Sequence, residues 1–215
     1  IKYYLLSQEE KQRYLKALSM AHEAQLKMLR YQLNPHFLFN TLNAISTLIL
    51  DQDTKLANSM VMKLSRFLRY SLDNDPMQQV TVAEEVEALQ LYLDIEQVRF
   101  GDRLTLHFDI SRDAERALMP GLLLQPLVEN SIKYAINQAI NGGSIGVEAR
   151  VFGGELLLTV ADDGPGLDLK NGRAPKGGGV GITNTRERLR EIYGQDQGLR
   201  LTTTEPHGLT ITIRL

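Results

Sequence analysis

The sequence predicts an α+β protein: a helical hairpin followed by an α/β sandwich. Three observations carry that prediction. Two stretches of helical period meet at the short polar turn Asp51-Gln52-Asp53-Thr54, as an αα-hairpin requires. After the break Asp73-Asn74-Asp75-Pro76, strand-like alternation and helical runs succeed one another, which argues for a mostly antiparallel sheet with helices on one face. Two glycine-rich clusters, Asp162-Asp163-Gly164-Pro165-Gly166 and Gly177-Gly178-Gly179-Val180-Gly181, lie between an apolar strand and a helix. Composition is consistent with this reading. Of 215 residues, 43% are hydrophobic and 23% charged, the mix of an ordinary globular chain. The net charge of −2 gives no reason to expect nucleic acid. Without cysteine, disulfides and thiolate metal sites are excluded.

Three segments follow: 1–30, 31–75 and 76–215. In the first, Tyr14, Ala17, Ala21, Ala24, Met28 and Tyr31 alternate spacings of three and four, a coiled-coil-like seam that needs a partner helix. The opening Ile1-Lys2-Tyr3-Tyr4-Leu5-Leu6 has the aromatic and basic mix found where a chain leaves a bilayer.

In the second segment Pro35 interrupts the helical run. Either a kink lies before His36, or a new helix starts with Asn34 as N-cap and Pro35 at N1. Beyond it, His36, Asn40, Asn43 and Thr47 fall at i, i+4, i+7 and i+11 and form one polar line on an otherwise apolar helix. Buried polar groups need partners, so this line is expected to face solvent or a second body. At its head stands an imidazole, suited to nucleophilic chemistry near neutral pH. The second helix carries Leu56, Met60, Leu64, Phe67, Leu68 and Ser71 on one side. A hairpin this small cannot bury both stripes, so a homodimer forming a four-helix bundle is expected.

In the third segment, strands are expected over 79–82, 104–110, 145–151, 156–160, 199–203 and 209–215. Gly153-Gly154 provides a hairpin turn between the third and fourth. Helices are expected from Ala83 to Phe100, stopped by Gly101, from Leu122 to Ile140, and from Thr183 to Tyr193. On the Leu122–Ile140 helix, Asn130, Lys133 and Asn137 share a face while Leu127, Val128 and Ile132 serve the core. An amide oxygen beside an ammonium suits Mg²⁺ and phosphate oxygens. Asp162 ends a strand, where its carboxylate can accept from an exocyclic amine, and Gly164 and Gly166 let backbone approach a ring. The run from Gly177 to Gly181 before a helix start suits phosphate. No lysine follows in P-loop spacing, and no Rossmann strand precedes the glycines closely.

The order of these groups brings out a resemblance. Residues 78–215 resemble the ATP-binding domain shared by histidine kinases, gyrase, Hsp90 and MutL. Gln125-Pro126-Leu127-Val128-Glu129-Asn130-Ser131-Ile132-Lys133 is similar to that family's N box, Asp162/Gly164/Gly166 to its G1 box and Gly177/Gly179/Gly181 to its G2 box. Gln32-Leu33-Asn34-Pro35-His36-Phe37-Leu38-Phe39-Asn40-Thr41-Leu42-Asn43 resembles the phosphoacceptor motif of LytS/YehU-type sensor histidine kinases, as do Tyr92-Leu93-x-Ile95-Glu96-x-x-Arg99-Phe100 and Gly181-Ile182-x-Asn184-x-Arg186-Glu187-Arg188-Leu189.

The resemblance implies an ATP-dependent kinase with His36 as phosphoacceptor and Asn40 positioning its phosphohistidine or a water. Asn130 would hold Mg²⁺, Lys133 would help with phosphate charge, Asn137 would belong to the nucleotide site, and Asp162 would receive the adenine amino group. Gly164, Gly166, Gly179 and Gly181 would shape the pocket and its lid. It implies ATP and Mg²⁺ as ligands, a response regulator and a second copy of the chain as partners, and a cytoplasmic position below a membrane-held upstream region of a bacterial inner-membrane protein. The chain departs from the broader pattern at Phe37, where many histidine kinases place an acid, and at Tyr134, where relatives often have His. Glu96 and Arg99 are the candidates to orient or deprotonate His36. The alternatives are a nucleotide-driven module without phosphotransfer, and a scaffold in which the glycines are only turns. Water-splitting relatives place a Glu four residues before the Asn, where Pro126 stands here.

Overall fold

The computed structural model describes residues 34–73, 78–166 and 180–215. The 1–30 segment and its seam lie outside the described residues. Helix α1 (Pro35–Leu50) begins as the second reading of Pro35 requires. Asn34 is extended, its side chain accepts from the Phe37 N–H, and Pro35 occupies the first turn, where its missing donor costs nothing. Helix α2 (Thr54–Asp73) returns after a tight turn in which Gln52 takes a positive φ of 62°. Met60, Leu64, Phe67 and Ser71 are buried, as their spacing predicts, whereas Leu56 is exposed. The polar line lies as expected: His36, Asn43 and Thr47 are exposed and Asn40 is half-buried.

Strand β1 (Gln79–Thr81) leads into helix α3 (Val82–Phe100). Thr81 and Glu84 form a reciprocal capping box, and Gly101, at φ +56°, ends the helix. Helix α3 runs antiparallel to α2. Lys63 pairs with Asp94 at 2.7 Å, Arg66 with Glu87 at 3.3 Å, and the Tyr70 hydroxyl donates to Glu85 at 3.4 Å. These pairs mark register. Exposed ion pairs add little stability, and the contact is held by Phe37, Phe67 and Tyr92, whose ring centroids lie 4.8–5.7 Å apart.

Strand β2 (Leu104–Ile110) precedes a short helix α4 (Arg112–Glu115) and strand β3 (Leu118–Pro120), neither foreseen in the sequence. Strand β3 pairs antiparallel with β1 as a separate ribbon. The predicted Leu122–Ile140 helix is shorter and broken. Leu122 has φ +55°, and Glu85 accepts from the Leu122 and Leu124 N–H groups at 2.7 and 2.9 Å, which holds that segment out of a helix. Helix α5 therefore spans only Gln125–Ser131 and passes into a π-helical turn, Ile132–Ile136.

Strands β4 (Gly143–Phe152) and β5 (Glu155–Asp162) form a hairpin through Gly153 and Gly154, at φ +62° and +86°. Helix α6 (Val180–Tyr193) starts three residues before the expected Thr183, followed by β6 (Gly198–Thr203) and β7 (Leu209–Arg214). The five-stranded sheet runs β2-β4-β5-β7-β6. Its β2–β4 pair is parallel, because a crossover through α5 separates those strands, and the other pairs are antiparallel. Alternate residues Ile145, Val147 and Ala149, Leu156, Leu158 and Val160, and Leu209, Ile211 and Ile213 are buried. They share one core with Leu127, Val128 and Ile132.

Candidate functional site

Helix α5 presents its polar side to a cavity of about 480 Å³, a size suited to a small ligand. Asn130, Lys133 and Asn137 line it, as does Gly181 near the start of α6. The π turn inserts an extra residue into the helical repeat, yet all three polar residues still reach the cavity. The Asn130 Nδ2 is buried and has no hydrogen-bond partner among the described residues. A buried amide left unpaired is costly, so this group is set to meet a ligand atom. Gly181 permits that arrangement: a Cβ there would lie 3.0 Å from the Asn130 nitrogen and 3.4 Å from the Pro126 carbonyl oxygen.

Asp162 ends β5 beside this helix. Its Oδ2 accepts from the Ser131 hydroxyl at 2.8 Å, and its Oδ1 from the Gly164 and Leu209 N–H groups at 3.1 and 3.2 Å. Burial pushes its pKa up, and these donors oppose that shift. Asp162, Gly164 and Gly166 are not among the residues lining this cavity, but the Ser131 hydroxyl ties Asp162 to the residue directly after Asn130. Gly164 is required by packing: a Cβ would fall 2.3 Å from that of Ala135 in the π turn. Gly166 has φ +74°. Gly179 lies outside the described residues.

From the other side, α1 brings His36 to the same cavity, with Asn34, Phe37, Tyr92, Glu96 and Arg99. The Asn40 amide nitrogen lies 3.1 Å from His36 Nδ1 and 3.2 Å from Nε2. Glu96 is buried and ion-paired with Arg99 at 2.5 Å. Burial raises the Glu96 pKa, Arg99 opposes the rise, and the charge of nearby Glu129 adds to it. Glu129 is itself raised by burial, against hydrogen bonds from Gln125 and Asn34.

Of the residues singled out in the sequence, His36, Asn130, Lys133, Asn137 and Gly181 share one cavity. Sequence reasoning did not find Ser131, which orients Asp162, or Gly208, where a Cβ would lie 1.9 Å from the Asp162 carbonyl oxygen. Nor did it find the link from Asn34 to Glu129. A serine directly after Asn130 was a usable signal for the first. The others depend on chain crossings that local pattern does not encode.

Comparison with known proteins identifies the family. Residues 24–104 match the family model described as "Histidine kinase". Residues 117–215 match the one described as "Histidine kinase-, DNA gyrase B-, and HSP90-like ATPase". The chain is 37% identical over 193 residues to the sensor histidine kinase YpdA of Escherichia coli (strain K12), covering 87% of this chain and 33% of that protein. It is 36% identical to the sensor histidine kinase YesM of Bacillus subtilis (strain 168), covering 90% and 33%. It is 37% identical to the sensor histidine kinase BtsS of Escherichia coli (strain K12), covering 94% and 35%. The chain thus spans about a third of the length of these relatives. Among solved structures, the catalytic domain of histidine kinase ThkA superposes with a TM-score of 0.51 at 12% identity, over 64% of this chain and 94% of that one. ThkA in complex with the response regulator protein TrrA gives 0.50 at 14% identity, over 96% and 65%. At such identities the likeness is one of fold.

Proposed function

The chain belongs to the sensor histidine kinase family, and from that membership we propose that it transfers the γ-phosphoryl group of ATP to His36 and then to an aspartate of a response regulator. One observation carries this reading: the exposed imidazole opens onto the cavity that also holds Asn130, Lys133, Asn137 and Gly181. The unprotonated ring nitrogen of His36 forms the N–P bond as the bond from γ-phosphorus to the β–γ bridging oxygen breaks. ADP departs with that electron pair, and the proton on the other ring nitrogen is released to solvent. Positioning and charge neutralisation supply most of the catalysis in such transfers.

Lys133 carries no carboxylate partner among the ion pairs of the described residues and lies 4.8 Å from the Tyr134 ring centroid, so its ammonium is available to phosphate oxygens. Asn130 fits a divalent ion that arrives with the nucleotide, because one end of its amide is buried without a partner among the described residues. Which end is oxygen is set by what binds. Among the described residues no cluster of three His, Asp or Glu could hold a metal alone, which suits Mg²⁺ carried mainly by phosphate oxygens. Bound there, Mg²⁺ would neutralise phosphate charge. Asp162 keeps acceptor capacity beyond its three hydrogen bonds for the adenine amino group, with Gly164, Gly166 and Gly179 shaping the backbone around it. Asn40 holds the His36 ring.

The proposal includes a homodimer. Helix α3 covers one side of the hairpin, but Phe39, Leu42, Ile49 and Leu50 remain exposed at 55–79%, a face that a second hairpin would cover. It also includes a membrane-held region upstream, with this piece on the cytoplasmic side; no helix among the described residues is long and apolar enough to cross a membrane.

The test is incubation with Mg²⁺ and γ-labelled ATP. Acid-labile, alkali-stable label that His36→Gln abolishes is expected. Nucleotide binding without label would indicate a pseudokinase, and free phosphate alone an ATPase.

A further inference from the structure

Asn34 uses both ends of its carboxamide. Its Oδ1 accepts from the Phe37 N–H at 3.3 Å and caps α1, and its Nδ2 donates to Glu129 Oε2 at 3.2 Å. The other Glu129 oxygen accepts from Gln125 Nε2 at 2.8 Å. Capping alone does not call for an amide, since Asp, Ser and Thr cap as well. An Asp cap could not donate onward to a carboxylate, whereas the amide does so from a second atom, Nδ2. The contact therefore joins the residue two before His36 to the residue one before Asn130, and each of those two lines the cavity. Directly beyond His36, Phe37 is anchored on Tyr92 at 4.8 Å. The backbone at His36 is thus held from both sides, while its ring contacts Asn40.

We propose that the Asn34–Glu129 hydrogen bond is the docking contact that sets His36 over the nucleotide cavity, with Glu129 a positioning residue for phosphotransfer. The inference rests on the function proposed above. Its chemistry is directional: an amide on α1 meets an acid on α5. Asn34→Asp keeps the cap but sets two carboxylates against each other. Adding Glu129→Gln exchanges donor and acceptor: the amide introduced on α5 can donate to the carboxylate introduced before α1, while its oxygen still accepts from Gln125. Glu129→Gln alone can keep its oxygen toward Asn34 if the Gln125 amide turns over, so its effect is mild.

The experiment measures the autophosphorylation rate at saturating Mg-ATP, Mg-ADP affinity, and amide exchange in the first turn of α1 and in Gln125–Ser131. Asn34→Asp is expected to slow labelling by about tenfold to a hundredfold, the loss typical of one charge-assisted hydrogen bond. It should leave ADP affinity unchanged and speed exchange in both segments. The double variant is expected to recover most of the rate and the protection, which a purely structural defect in α1 would not do. Wild-type labelling and exchange in Asn34→Asp, or a double variant no better than the single one, would overturn the proposal. If the wild-type chain takes no label at all, the function proposed above fails, and the exchange data alone still decide whether the contact exists.

Discussion

His36 and Gly164 illustrate two ways in which one residue matters to this site. The imidazole is exposed and contacts Asn40, so His36→Gln should remove label without a measurable loss of stability. Gly164 is the reverse case. An added methyl would fall 2.3 Å from the Ala135 Cβ and 2.7 Å from its Cα, and overpacking of this kind costs about 1–3 kcal/mol. Gly164→Ala should therefore lower the denaturant midpoint. Gly146→Ala, whose methyl meets only a carbonyl oxygen at 4.0 Å, should leave it nearly unchanged. Glu96 carries a pH dependence of definite sign. Burial raises its folded pKa above the ordinary 4.5, so the folded chain holds a proton that the unfolded chain gives up. Its contribution is fully present below that ordinary value and is lost as pH rises through the raised one. Unfolding free energies measured between about pH 8 and about pH 5 should show a smaller gain on acidification in Glu96→Gln than in wild type. An unchanged slope would contradict the shift.

At the scale of elements, α1 is docked by a short list of contacts, and the largest is Phe37. Its ring is buried between Phe67 and Tyr92, so Phe37→Ala should cost about 3–5 kcal/mol, read as a lower midpoint in urea. It should also slow labelling while nucleotide affinity holds. The hairpin and the polar line were legible in the sequence because they depend on spacing within single helices, whereas the Asn34 cap was one of two readings of Pro35 that the structure decides. The β4–β5 hairpin was legible too, from its two glycines. The start of α5 was not. Its first turn was expected at Leu122, but Glu85, thirty-seven residues away, captures the Leu122 N–H and delays the helix to Gln125. Local pattern cannot report a carboxylate supplied by another element. The π turn after Ser131 also escaped: no run of residues signals it, although it brings Ala135 against Gly164. Strand β3 and helix α4 are three and four residues long, too short to show a period.

For the whole molecule, the order of motifs allowed both halves of the fold to be read: the helical hairpin first, then the Asn helix, the Asp-bearing strand end and the glycines before α6. What the order did not contain is how the halves meet. The structure answers with α3, which packs on α2 while continuing into the second half, and with one cavity to which both contribute. The proposed transfer depends on that meeting, and phosphopeptide mapping after reaction with Mg-ATP at neutral pH probes it without intermediaries. A single phosphorylated residue, His36, is expected, and its phosphate should disappear when Asn130→Asp removes nucleotide binding. Phosphate on any other side chain, or on His36 at the wild-type rate in Asn130→Asp, would contradict it.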